Sequence, residues 1–187
     1  MSFDFEPQKI KDVILIKPKI INDNRGCFFE CYKYSEFKEN GIEKIFVQDN
    51  YSKSHSKVLR GLHYQKPPYS QAKLIRCVKG SIYDVAVDIR HTSPTFGTYI
   101  KAELSEHNQN MLYIPEGFAH GFLVISDEAE IHYKVSKEYN ANADSGILWS
   151  DKKINIDWGV DFEPILSLKD MNLPLLTDIS KEELNIW

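Results

Sequence analysis

His63 and Lys73 are two residues whose types could do proton chemistry together. His63 lies near the end of the run Val58-Leu59-Arg60-Gly61-Leu62-His63-Tyr64-Gln65, and Lys73 lies in Gln71-Ala72-Lys73-Leu74-Ile75-Arg76. Both runs are short and rich in apolar, β-branched or aromatic residues, so they read as strands. Lys66-Pro67-Pro68-Tyr69-Ser70 between them can continue neither. Antiparallel pairing about Pro68 would set residues 63 and 73 opposite each other on one face of a sheet. An ammonium there disfavours the imidazolium and keeps His63 neutral, ready to accept a proton. The ammonium could also meet a developing negative oxygen. Base and cation together suit removal of a proton beside a carbonyl, where the enolate needs support. The competing reading of the same pattern is a half-buried strand histidine capped by a solvated lysine.

The elements that must position these residues are mostly strands. Ten tyrosines, ten phenylalanines and many short strand-like runs between turn signals point to an all-β domain, a sandwich or barrel. Strand-like runs are Val13 to Ile16, Cys27 to Tyr32, Lys44 to Ser52, Ser81 to Ile89, Thr98 to Glu106, Met111 to Ile114 and Ala129 to Val135. In Ser81 to Ile89, alternation puts Tyr83, Val85, Val87 and Ile89 on one face and Asp84 and Asp88 on the other. Tyr34 to Asn40 reads as a helix ending at Asn40-Gly41. The stretch from Asp151 to Leu176 reads as loop, and Lys181 to Asn185 as a last helical turn. No repeat, linker or low-complexity tract divides the chain, which is expected to form one domain over residues 1–187.

A chain of 187 residues can bury a real core. A net charge of −4 and the absence of a long basic run speak against nucleic acid as a partner. Acids at Asp4 and Glu6 are unlike a signal peptide, and no apolar run reaches membrane-spanning length, so a cytoplasmic protein with no membrane partner is expected. Cys27, Cys31 and Cys77 are expected to be free thiols, and Cys27 and Cys31 lack two further ligands at zinc-like spacing.

Pro115-Glu116-Gly117-Phe118-Ala119-His120 resembles the second signature motif of the cupin superfamily, a jelly-roll barrel. The first cupin motif usually supplies two histidines and a glutamate to a metal. Here Gln65 stands two positions after His63, and Lys73 occupies the glutamate position; a cation there argues against a metal. That combination is similar to the dTDP-4-dehydrorhamnose 3,5-epimerases within the superfamily. The likeness runs through Gln48-Asp49-Asn50, Val58 to Gln65, Gln71 to Cys77, Asp84 to Arg90, Ser93 to Gly97, Ile114 to Val124, Ala129-Glu130, Tyr133-Lys134, Ile156-Asp157-Trp158 and Lys169-Asp170. It departs at Glu138, Ser145, Leu168 and Trp149-Ser150-Asp151-Lys152.

The resemblance implies a nucleotide-linked 4-keto-6-deoxy sugar as substrate, inverted at C3 and C5, each acidified by the ketone between them. No cofactor is needed, because that ketone already activates both carbons. By similarity His63 is the base, Asp170 orients it, Lys73 faces the enolate oxygen and Tyr133 returns a proton from the opposite side. Tyr133 would otherwise read as a core tyrosine with Ile131 and Val135, and Asp170 as a turn aspartate. Arg60 resembles a diphosphate contact. Strict alternation would put Arg60 and His63 on opposite faces, so a bulge is expected, with Gly61 the candidate. Arg25, Glu30, Gln48, Asn50, His120, Tyr139, Asp144 and Lys169 match positions that contact the sugar nucleotide. Family members are homodimers that exchange strands, so that an early segment carrying Arg25 and Glu30 lines the partner's site. The rivals are a single-centre epimerase of a related dTDP-, CDP- or GDP-linked keto sugar, a metal-dependent cupin and a non-catalytic sugar-binding module.

Overall fold

The computed structural model describes residues 1–184, with the backbone alone at Lys181. In chain order the strands are β1 (Phe3–Pro7), β2 (Ile14–Pro18), β3 (Ile21–Asp23), β4 (Gly26–Phe28), β5 (Gln48–His55), β6 (Leu59–Gln65), β7 (Lys73–Lys79), β8 (Ser81–Asp88), β9 (Tyr99–Ser105), β10 (Met111–Ile114), β11 (Phe118–Val124), β12 (Glu128–Val135) and β13 (Asp144–Gly146). Helix α1 (Tyr34–Glu39) follows β4, and α2 (Leu168–Met171) and α3 (Lys181–Leu184) come late. Two sheets dominate: a six-stranded one ordered β1-β2-β10-β7-β12-β5 and a five-stranded one ordered β13-β6-β11-β8-β9. This is the cupin-type jelly roll, all-β with a few short helices.

Three apolar layers hold it together. Ile75, Cys77, Leu112, Ile114 and Ile131 of the first sheet meet Ile82, Ala86, Leu104, Phe118 and Val124 of the second. The outer face of the second sheet, with Leu62, Tyr64, Val85, Val87 and Leu123, is covered by Ile147, Ile154, Trp158, Leu176 and Leu184 from the C-terminal quarter. The outer face of the first is covered by Phe37 of α1 with Phe3, Ile16 and Met111. With both faces covered, β10 and β11 are buried at every residue, which is why their sequences run apolar without alternating. Asp84 and Asp88 do lie on the face of β8 opposite Val85 and Val87, and both are fully buried.

The main correction concerns β6 and β7. They do not form a hairpin: β6 pairs with β11 and β13, and β7 with β10 and β12. The Lys66–Ser70 segment crosses from one sheet to the other, so no register opposes His63 to Lys73. The expected strand from Cys27 to Tyr32 stops at Phe28, in a two-stranded ribbon with β3 whose residues are all exposed. Helix α1 runs one residue shorter than expected, with Asn40 as its cap and Gly41 at φ +83°. β1, β3, β13 and α2 were not anticipated, and the strand expected from Lys44 to Ser52 runs instead from Gln48 to His55 as β5. α3 matches the expected helical turn through Leu184, and Asn185 lies outside the described residues.

Candidate active site

The bulge in β6 shapes the site. His63 opposes His120 and Arg60 opposes Phe122, so Gly61 and Leu62 together face Gly121. The extra residue turns Arg60 back to the face that His63 occupies, the bulge expected from the roles that the resemblance implies for both. Only glycine fits at 61: its φ is +132°, and a Cβ there would lie 2.5 Å from the Gly121 Cα.

His63 Nε2 lies 2.6 Å from Asp170 Oδ1. Burial alone would raise the Asp170 pKa, but hydrogen bonds from His63, Ser167 and the Gly61 backbone outweigh it and hold the carboxyl below its ordinary range. With an ionised acceptor, Nε2 carries the proton and Nδ1 keeps a free lone pair. Asp170 reaches the base because Ser167 caps α2, its hydroxyl accepting from the Asp170 N–H at 3.1 Å.

Across the gap, the first sheet contributes Lys73, Tyr133, Gln48 and Asn50. Tyr133 opposes Asn50 and Val135 opposes both Gln48 and Lys73, so the pleat sends all four inward. The Lys73 Nζ donates to the His63 carbonyl at 3.4 Å. Burial depresses its pKa to about 8, against the opposing pull of Asp84 and Asp144. Burial raises the Tyr133 phenol above its ordinary value, with Arg60 opposing, so it stays protonated at neutral pH.

Gln48, Asn50, His63, Lys73, Tyr133 and Asp144 line one cavity of about 320 Å³. Tyr139 and Lys169 stand at the same cavity, and Asp144 Oδ2 accepts from both the Tyr139 hydroxyl (2.9 Å) and the Lys169 ammonium. A second space of about 190 Å³ shares His63, Lys73 and Tyr133 and adds Arg60 and His120. His120 Nε2 meets Asp84 Oδ1 at 2.7 Å, and burial lowers the histidine's pKa, which Asp84 opposes. Arg60 is held by Ser54 Oγ at 3.0 Å.

Eleven of the thirteen residues singled out in the sequence therefore converge: His63, Tyr133, Asp170, Lys73, Gln48, Asn50, Arg60, His120, Tyr139, Asp144 and Lys169. Arg25 and Glu30 do not: Arg25 is exposed on the β3–β4 ribbon, paired with Asp23 at 2.6 Å, and Glu30 lies 3.9 Å from Lys33. Sequence reasoning missed Gln71, Tyr64 and Gln65 as cavity walls and Asp84 as the partner of His120. The alternation of β8 had already set Asp84 apart from the apolar residues, the one signal for it.

The family model for dTDP-4-dehydrorhamnose 3,5-epimerase matches residues 7–178. The dTDP-4-dehydrorhamnose 3,5-epimerase of Shigella flexneri is 54% identical over 165 residues, covering 88% of this chain and 91% of that protein. That of Salmonella typhimurium is 49% identical over 168 residues, covering 89% and 92%. The crystal structure of dTDP-6-deoxy-D-glucose-3,5-epimerase from Legionella pneumophila, in complex with dTDP-4-keto-L-rhamnose, superposes with a TM-score of 0.95 at 40% identity, covering 99% of this chain and 98% of that one. With these residues gathered in a jelly-roll cavity and this likeness along nearly its whole length, the chain belongs to the dTDP-4-dehydrorhamnose 3,5-epimerase family of isomerases.

Proposed function

We propose that the protein inverts C3 and C5 of dTDP-4-dehydro-6-deoxy-D-glucose to give dTDP-4-dehydro-L-rhamnose. The observation that carries this reading is the His63–Asp170 pair opening on the same cavity as Tyr133 and Lys73. His63 Nδ1 takes the proton from the carbon beside the C4 ketone, and Asp170 stabilises the imidazolium that forms. The charge moves onto the ketone oxygen, where the Lys73 ammonium meets it. Tyr133, arriving from the opposite sheet, protonates the far face of the carbon, and that reversal of face is the inversion. A raised pKa makes the phenol a weak acid, which suffices toward a basic enolate carbon. The imidazolium then releases its proton to solvent and Tyr133 takes one back, and the second centre repeats the cycle. No cofactor is required, because the substrate carries its own activating ketone.

Arg60 supplies a guanidinium for the diphosphate, and Tyr139, Asp144 and Lys169 close the mouth through which the nucleotide enters. Gln48, Asn50 and His120 complete the polar wall around the sugar. Arg25 and Glu30 act in trans: the protein is a cytoplasmic homodimer whose β3–β4 ribbon reaches the partner's cavity. The ribbon's exposure supports this, with Ile21 63% and Phe28 66% exposed, as does further exposed apolar surface at Ile45, Val47 and Tyr51. The 187 residues act as one catalytic domain.

Turnover in deuterated water, read by NMR, tests the reaction. Label at both C3 and C5 of the product is expected. Label at one carbon alone would replace this reading with a single-centre epimerase.

A further inference from the structure

The C-terminal helix reaches the back of the site through Glu183. Glu183 Oε1 accepts the Tyr64 hydroxyl at 2.7 Å and faces the Ser145 Oγ at 3.4 Å, while Oε2 lies 3.7 Å from the Lys66 ammonium. Tyr64 and Ser145 are directly opposed in the β6–β13 ladder. The neighbouring pairs of that ladder are His63 with Gly146 and Gln65 with Asp144. Glu183 thus bridges the two strands between the pair that carries the base and the pair that carries the cavity mouth.

The bridge sits where the ladder needs support. β13 is a three-residue edge strand whose sheet partner is β6. Backbone bonds flank it, from Lys66 N–H to Ala143 at 2.8 Å and between Ile147 and Leu62 at 2.9 and 3.1 Å. Glu183 itself is fixed from behind: its N–H donates to the Ser180 hydroxyl at 3.2 Å, Leu184 is 2% exposed in the core, and the Leu184 carbonyl accepts from the His91 N–H at 3.2 Å. A hydrogen bond from a buried phenol to a carboxylate is among the stronger kinds.

We propose that Glu183 is a positioning residue that clasps β13 to β6 through Tyr64 and Ser145 and so holds Asp144 at the mouth of the cavity. It touches no substrate. His63 is oriented independently by Asp170 from α2. The clasp therefore governs substrate capture far more than the proton steps, which separates it from a general structural role. Its kinetic consequence rests on the epimerase reading; its structural consequence does not.

The test compares Glu183→Ala, Glu183→Gln and Tyr64→Phe in the full chain. Glu183→Ala is expected to raise KM for dTDP-4-dehydro-6-deoxy-D-glucose by about 3- to 10-fold, the size of one hydrogen bond's net contribution, with little change in kcat. Tyr64→Phe should do the same. Glu183→Gln, whose amide carbonyl still accepts from Tyr64, should restore most of the affinity. Hydrogen–deuterium exchange of amides 143–147 should quicken in Glu183→Ala and Tyr64→Phe but not in Glu183→Gln. That comparison needs no substrate, so it judges the clasp even if the wild-type protein proved inactive. Unchanged exchange at 143–147 in Glu183→Ala, or a loss of kcat with KM unmoved, would overturn the proposal.

Discussion

The Lys73 ammonium lies 3.4 Å from the backbone carbonyl of His63, although the two residues belong to different sheets and share no ladder. Base and cation meet across the interior of the sandwich. The Lys66–Ser70 crossing brings them together, and the cavity between the sheets is where a substrate can be held by both.

That burial makes Lys73 costly to the fold. Its pKa of about 8 lies below the ordinary 10.5, so the unfolded chain holds a proton that the native one lacks between those values. Stability from this group is therefore lowest below pH 8 and recovers as pH rises through the window. Lys73→Met is expected to stabilise the protein at pH 7 by about 1–3 kcal/mol while lowering kcat by roughly 10²-fold or more. Thermal melts at pH 7 and pH 10 check the first part, since the gain should shrink at the higher pH. In the wild type, kcat/KM should fall as pH rises through about 8 and the ammonium is lost.

Tyr133→Phe separates proton removal from inversion. His63 can still exchange the substrate's acidic hydrogens with solvent, but nothing returns a proton from the opposite face. Deuterium wash-in to recovered starting sugar should persist while product formation falls by roughly 10²- to 10⁴-fold. Equal loss of exchange and product would show that Tyr133 does not act as the acid.

Gly61→Ala should be severe for a local reason. The new Cβ would press on Gly121 at a φ that alanine resists. A loss of about 2–4 kcal/mol is expected, with His63 displaced, so activity should fall even where the protein remains folded. Denaturant unfolding measures the first and turnover the second.

The shared-site dimer can be tested by complementation. His63→Ala and Arg25→Ala homodimers should each be inactive or nearly so. Mixed dimers contain one site with both residues intact, so unfolding and refolding an equal mixture should recover about a quarter of wild-type activity by random pairing. No recovery would place Arg25 outside the partner's site.

Much of this was legible before any coordinates. Most of the strands could be read because alternation and turn residues are local signals, whereas the bulge at Gly61 followed from the roles that the resemblance implied for Arg60 and His63. The pairing of β6 with β7 could not, because a Pro-Pro link ends strands without saying whether the chain returns to the same sheet or crosses to another. Asp170 is a short-range turn residue by its neighbours, and its role comes from α2 docking against β6, a contact far apart in sequence. Arg25 stands apart from the cavity because the β3–β4 ribbon whose turn carries it is exposed at every strand residue and pairs it with Asp23 instead. β13 escaped notice since Asp144, Ser145 and Gly146 carry no apolar alternation.

The central claim is that His63 is the base. Deuterium wash-in at C3 and C5 should be abolished by His63→Ala, while affinity for dTDP measured by calorimetry stays close to wild type. A His63→Ala protein that still exchanges either hydrogen would contradict the account.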